Sequence, residues 1–281
     1  FLFLSCWSRH LYVEFTTSEK LEVFLACHVR ALDALGGVPR RILYDNLRSV
    51  VLAHVGREVR LNPRFLDFAR HYSFLPVACN PDRPNEKGRV ENAVRFLKRG
   101  FLEGREITDL ERLNHEVARW LDDVATVRIH RTTKKRPVDM LAEEQPLLWP
   151  LPATSYDTRV VKAVMASPMC RVRFEGSTYS TPPAFAGAEL TLKAGDTDVA
   201  LYAKGECVAT HRRATARGQD IVDPVHVRAL LERKRRGERG VLVNRLLALG
   251  PKAPAYLKGL THAEIRLYTH LKRILALADL Y

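Results

Sequence analysis

Five cysteines are spread over 281 residues, at Cys6, Cys27, Cys79, Cys170 and Cys207, and no two stand in a CxxC pair. An odd, dispersed set excludes a disulfide framework and a structural zinc site, and it fits a reducing compartment. Long hydrophobic runs are missing as well. The apolar opening Phe1-Leu2-Phe3-Leu4 is far shorter than the roughly 20 residues a membrane-spanning helix needs. It has neither the basic n-region nor the small-residue cleavage site of a signal peptide. The expectation is a cytoplasmic protein with no membrane partner. No GxxxxGK[ST] loop occurs, so ATP hydrolysis of that kind is excluded. Acids are the scarcer charge: 32 Asp and Glu face 45 Lys and Arg, for a net charge of +13. That balance favours a polyanionic partner through its long-range field. With 46% hydrophobic and 27% charged residues, wholesale disorder is excluded. The length predicts one large domain or two ordinary ones. The chain opens without Met, in what reads as the middle of a strand, so a natural N-terminal part is expected to precede it.

The pattern that follows is strand, strand, helix, strand. Residues 1–7 and 11–16 read as strands around a tight turn near Ser8–Arg9, with Leu11, Val13 and Phe15 alternating against Tyr12, Glu14 and Thr16. From Leu21 to Leu35 the spacing turns helical, with Leu21, Leu25, His28, Leu32 and Leu35 on one stripe, stopped by Gly36-Gly37 and Pro39. A short strand, Arg41 to Tyr44, ends at Asp45-Asn46. A helix is predicted over 63–72, a strand over 74–79, a polar loop over 80–85 and a helix from Glu86 to about Phe101. Further helices are expected over 108–124 and 137–145. Pro146 to Pro152 marks a boundary, and 158–212 becomes a series of short strand candidates with glycines between them, which predicts a small β-barrel. The expected domains are a core over 1–125, a basic linker over 126–157, the barrel over 158–212 and a basic helical region over 213–281.

Two acids differ from ordinary surface charge by their placement. Asp45 ends an apolar strand, and Glu91 lies on the helix after the loop Asn80-Pro81-Asp82-Arg83-Pro84-Asn85. Carboxylates at a strand end and on a nearby helix can share hard divalent ions, and Mg²⁺ needs no histidine or cysteine cage. Two such ions suit phosphoryl transfer on nucleic acid. Two protein carboxylates make a thin site, so a third is expected from another strand, upstream of Phe1. The bland readings stand beside these: Asp45 as a turn residue, and Glu91 as a surface carboxylate paired with Arg95 at i+4. Glu86 is a rival metal carboxylate, or a residue biasing its helix start.

Ile42-Leu43-Tyr44-Asp45-Asn46 and Asn80-Pro81-Asp82-Arg83-Pro84-Asn85-Glu86-Lys87-Gly88-Arg89-Val90-Glu91 resemble the second and third acidic motifs of a retroviral-integrase-type DDE core. The closer resemblance is to IstA-like transposases of two-gene insertion sequences. Gly36-Gly37-Val38-Pro39-Arg40 and His130-Arg131-Thr132-Thr133-Lys134-Lys135-Arg136-Pro137 carry it further, and it covers almost the whole chain. It implies an α/β RNase H-like core with a mixed sheet, followed by a small β-barrel domain and a helical C-terminal region. Also implied are two Mg²⁺ ions at the complete site, strand cleavage and 3′-hydroxyl transfer, homo-oligomeric assembly on double-stranded element ends and target DNA, and an AAA+ ATPase helper protein. Asp45 and Glu91 match the second aspartate and the final glutamate, as catalytic and metal-binding residues. The family's first aspartate has no counterpart here. Two main readings follow: a DNA transposase working as a fragment of a longer protein, or an inactive derivative that binds DNA or partner subunits. A ribonuclease H-like nuclease without transposition is the third.

The charge has candidate locations. Asn46 reads as a DNA contact or as an Asx-type turn. Lys87, Arg89, Arg95, Lys98 and Arg99 surround the Glu91 helix, as phosphate contacts or as a solvated face. Arg128, His130, Arg131, Lys134, Lys135 and Arg136 form an acid-free stretch suited to a DNA backbone, and 233–239 forms a second basic cluster. His10, His28, His54 and His71 lack metal-like spacing and read as structural histidines.

Overall fold

The computed structural model describes residues 1–45, 50–55, 58–79, 84–107, 109–262 and 267–280. The chain divides into two compact units, Phe1–Val160 and Val161–Tyr281.

The first unit begins with an antiparallel hairpin, β1 (Leu2–Leu4) and β2 (Leu11–Val13), in register Phe3 to Tyr12. Helix α1 (Leu21–Leu35) buries most of the predicted stripe: Leu25, His28, Leu32 and Leu35 are shielded from solvent, while Leu21 is half-buried. It stops at Gly36, whose φ of 76° is the left-handed conformation that glycine adopts without strain. Strand β3 (Arg41–Tyr44) follows, then a hairpin of β4 (Val51–Val55) and β5 (Glu58–Leu61). Helix α2 (Pro63–His71) is capped by the Asn62 side chain, which accepts from the Arg64 N–H. Strand β6 (Leu75–Ala78) returns parallel to β3. Helix α3 (Pro84–Leu97) runs into a π-helical turn at Lys98–Leu102, and α4 (Leu110–Trp120) runs into a second at Leu121–Ala125. Helix α5 (Pro137–Glu144) closes the helical part.

Two cores hold these pieces. One joins α1, β3 and α2 through Leu25, Leu32, Tyr44, Phe65, Phe68 and Phe74. The other seats the β1–β2 hairpin on α3 and α4 through Leu11, Val13, Leu97, Phe101, Leu113 and Val117. Each fully buried side chain of this size stabilises by about 1.5–3 kcal/mol. Val90 on α3 is 45% exposed.

The second unit contains β7 (Val160–Met165), β8 (Arg171–Phe174), β9 (Ser177–Ser180), β10 (Glu189–Ala194), β11 (Asp198–Ala203), β12 (Glu206–Arg212) and β13 (Asp220–Ile221). Helices α6 (Pro224–Leu247), α7 (Ala253–His262) and α8 (Leu267–Ala278) follow. Tyr179 is buried, and its hydroxyl accepts from the Ala214 N–H at 3.0 Å. Leu246, Leu260 and Leu271 form the helical core.

The sheets correct the predicted fold class. The strands expected to form a small β-barrel fall into two open sheets, ordered β12-β11-β10-β7 and β13-β9-β8. Closing a barrel requires the terminal strands to pair. Here β7 and β12 are sheet edges, and β8–β9 pairs with β13 instead. Among its described residues the first unit likewise shows no single mixed sheet of the kind expected of an RNase H-like core. Its described strands form three separate pairs: β1–β2, β3–β6 and β4–β5. What the chain has is a mixed α/β first part with several small sheets, and helices at its C-terminal end. Among the described residues, no helix is long and apolar enough to cross a membrane.

Candidate functional site

Strand β3 alternates exposed and buried residues, with Ile42 and Tyr44 turned to the core and Arg41 and Leu43 away from it. Asp45 follows directly and is exposed. Glu91 is exposed on α3. Both line one cavity of about 550 Å³, whose walls come from β1, the start of α1, β3 and α3. The two β pairs that carry β1 and β3 stay separate, so the cavity opens between strands that do not hydrogen-bond to each other. No ion pair joins Glu91 to Arg95 among the described residues. Asn46 and the loop at 80–83 lie outside the described residues, as do the side chains of Glu86 and Lys87 on α3.

A Mg²⁺ centre needs several oxygen ligands converging on one point. Glu19 and Glu144 also line the cavity, but the Ser5 hydroxyl engages both oxygens of Glu144, at 2.8 and 2.7 Å. Among the described residues, no group of three His, Cys, Asp or Glu side chains is placed to hold a metal ion. The described donors therefore do not amount to a metal centre.

The Tyr44 ring packs against Phe65 at 4.9 Å and His28 at 5.4 Å. Its hydroxyl is buried without a partner among the described residues, and burial holds its pKa well above that of a free tyrosine. His28 is enclosed and bonds the Phe24 carbonyl through Nδ1 at 3.0 Å. Burial lowers its pKa from 6.5 to about 4, which makes it a neutral structural histidine.

The basic candidates separate into classes. Arg95, Lys98 and Arg99 are exposed along α3 and its π turn. Arg89 is exposed and reaches the Cys6 carbonyl at 3.5 Å. Arg131 and Lys134 are exposed with no ion pair among the described residues. Lys135 is paired with Glu143 at 3.2 Å, and Arg136 grips both oxygens of Asp139 at 2.7 and 2.8 Å. Arg128 is half-buried, its guanidinium 3.4 Å from the Phe96 ring centre. His130 is half-buried, and Nδ1 accepts from the Thr132 N–H at 3.2 Å. At the β1–β2 turn the sequence marks Arg9 only as part of a tight turn and His10 as a structural histidine, and neither as a contact. The signal available was the tight turn itself, where Arg9 takes a φ of 62°.

Residues 151–223 match the family model described as Mu transposase, C-terminal domain. A protein named for insertion sequence element IS5376 of Geobacillus stearothermophilus is 34% identical over 71% of this chain and 50% of its own length. The transposase for insertion sequence element IS21 of Pseudomonas aeruginosa is 33% identical over 75% of this chain and 54% of its own. The chain thus spans about half the length of the curated relatives it matches. A chain from the cryo-EM structure of the simian T-cell lymphotropic virus intasome in complex with PP2A regulatory subunit B56 gamma aligns at a TM-score of 0.40. It is 16% identical, over 79% of this chain and 72% of that one, a likeness too slight to carry the fold. The sequence relationships are distant and partial, and they run to transposases.

Proposed function

We propose that this chain takes part in DNA transposition as a DNA- and subunit-binding polypeptide of transposase type, and that alone it does not complete a phosphoryl-transfer centre. The observation that carries this reading is the cavity holding Asp45 and Glu91, whose described donors stop short of a metal site. The net charge of +13 and the exposed basic residues on α3 and after α4 support a DNA backbone as ligand. Double-stranded DNA in the cytoplasm, further copies of the chain and an AAA+ helper protein are the partners this reading assigns. The test uses the purified chain and a labelled DNA duplex, with and without Mg²⁺. Salt-sensitive binding without cleavage is expected. Mg²⁺-dependent nicking that disappears in Asp45→Ala would overturn it.

A second reading rests on the shared cavity. Asp45 and Glu91 line the same cavity, as two acids of a Mg²⁺ site completed by a third carboxylate would. Such a site would supply phosphodiester hydrolysis and 3′-hydroxyl strand transfer. Under this reading, Asp45→Ala and Glu91→Ala in the longer protein abolish strand transfer and spare DNA binding. Retained transfer in either variant would sink it.

A further inference from the structure

The turn between β1 and β2 carries two side chains with buried nitrogens that have no partner among the described residues: Arg9 Nε and His10 Nδ1. A third such atom is Arg128 Nε. These three come from segments that packing brings to one end of the first unit. Strand β1 packs on α3, and β2 packs on the π turn at Leu121–Ala125, three residues before Arg128. Arg89 and Phe96 are seven positions apart on α3 and therefore share a face. Arg89 reaches the Cys6 carbonyl beside the turn, and Phe96 carries the Arg128 guanidinium.

The electrostatics agree with that convergence. The Arg9 pKa is lowered, first by burial and then by Arg89. The His130 pKa is lowered by burial and then by Arg128 and Arg9, so Arg9 is linked to Arg89 on one side and, through His130, to the neighbourhood of Arg128 on the other. Acids stand nearby without answering them. Asp122 and Glu144 act on His10, but among the described residues neither forms an ion pair with Arg9, Arg89 or Arg128. Buried donors without acceptors are rare in folded proteins, and like charges gathered at one place repel unless an anion joins them. A tetrahedral phosphodiester provides both missing features, a negative charge and two acceptor oxygens that match a guanidinium fork.

We propose that Arg9, Arg89 and Arg128, with His10 and His130 at the margin, form a phosphate clamp that grips one position of a nucleic-acid backbone at the β1–β2 turn. The clamp rests on the DNA-binding reading above and adds to it a fixed contact point. It also gives a role to Arg9 and His10, which belong to no basic run in the sequence. A shape-matched phosphate contact positions DNA without reading its bases.

The test measures binding of a fluorescent duplex by anisotropy between about 50 and about 200 mM KCl, the range in which phosphate contacts show as a salt slope. The proteins are the wild-type chain, Arg9→Gln and Arg9→Lys. Arg9→Gln should weaken binding to unrelated duplexes alike and lower the slope of log affinity against log salt by about one. Arg9→Lys should keep the slope and lose affinity, because an ammonium retains the charge without the fork. Inorganic phosphate should raise the melting temperature of the wild type and leave that of Arg9→Gln unmoved, a readout that also reports whether the variant folds. Wild-type slope and affinity in a folded Arg9→Gln would overturn the clamp. Failure of the wild type to bind any duplex would instead overturn the DNA-binding reading itself.

Discussion

Replacing Tyr44 by Phe should make the first unit more stable. Tyr44 is 6% exposed, and its ring is held edge-on by Phe65, with Phe24, His28 and Phe74 around it. The substitution keeps every one of those contacts. It removes only a hydroxyl that has lost its water and gained no partner among the described residues. A buried unsatisfied polar group costs about 1–3 kcal/mol, so that is the expected gain. For a unit of 160 residues each kcal/mol raises the melting temperature by about 2–4 °C. Urea unfolding is the cleaner assay: the midpoint should rise with an unchanged m-value. DNA affinity should stay at the wild-type level. A lower midpoint would refute the reasoning, because it would mean that the hydroxyl makes a bond that stabilises the fold.

His28 makes stability depend on pH in a stated direction. Its folded pKa of about 4 lies below the unfolded 6.5, so its contribution is complete above 6.5 and falls away towards pH 4. The total is about 3 kcal/mol, and a His28→Leu variant with an unaltered acid-side slope in urea melts would contradict it. Gly37→Ala should destabilise by about 1–3 kcal/mol through overpacking. Its Cβ would meet Leu148 Cβ at 2.7 Å and the Trp149 carbonyl at 3.1 Å, and a thermal melt identical to wild type would count against that packing. Arg131→Gln should lower the salt slope of DNA binding by about one. Arg136→Gln should leave the slope unchanged, since Asp139 already neutralises it, and equal effects would contradict that division of labour.

Periodicity made the separate elements legible. The stripe Leu25, His28, Leu32 and Leu35 located α1, and β3 fell on Arg41–Tyr44 as read. Periodicity does not name a strand's neighbour, which is why the short strands after residue 158 suggested a barrel while their pairing gives two open sheets. The β4–β5 hairpin went unread: His54 interrupts the first short apolar run, and Glu58 and Arg60 break the second. The π turns were also invisible, because spacings of three and four accommodate an extra residue without showing it. At the site, the strand–loop–helix order led to Asp45 and Glu91, and both face one cavity. The basic residues were legible as charge but not as company. Nothing in the basic run around Arg136 separates it from Arg131, and Arg9 stands alone until the fold brings Arg89 and His130 within its field.

Helix α6 has 24 residues and so runs for about 36 Å. Its first turn is fastened by Asp223, and by Ser180, which bonds His226 at 2.9 Å. Its last turn enters the core of Leu246, Leu260 and Leu271. Between those anchors every residue from 231 to 240 is exposed. Gly237 and Gly240 have open space where a Cβ would sit, and each weakens the helix by about 1 kcal/mol relative to Ala. Contacts along this stretch are sparse: the Arg233 guanidinium reaches the Pro183 carbonyl, and the Tyr268 hydroxyl donates to Glu238 at 2.7 Å. Its charges are mixed, since Glu232 stands four residues before Arg236 and Lys234 four before Glu238, while Arg235 and Arg239 repel at the same spacing. The rod is therefore held at its ends and pinned only by single side chains between them, and its two glycines are where it should bend first.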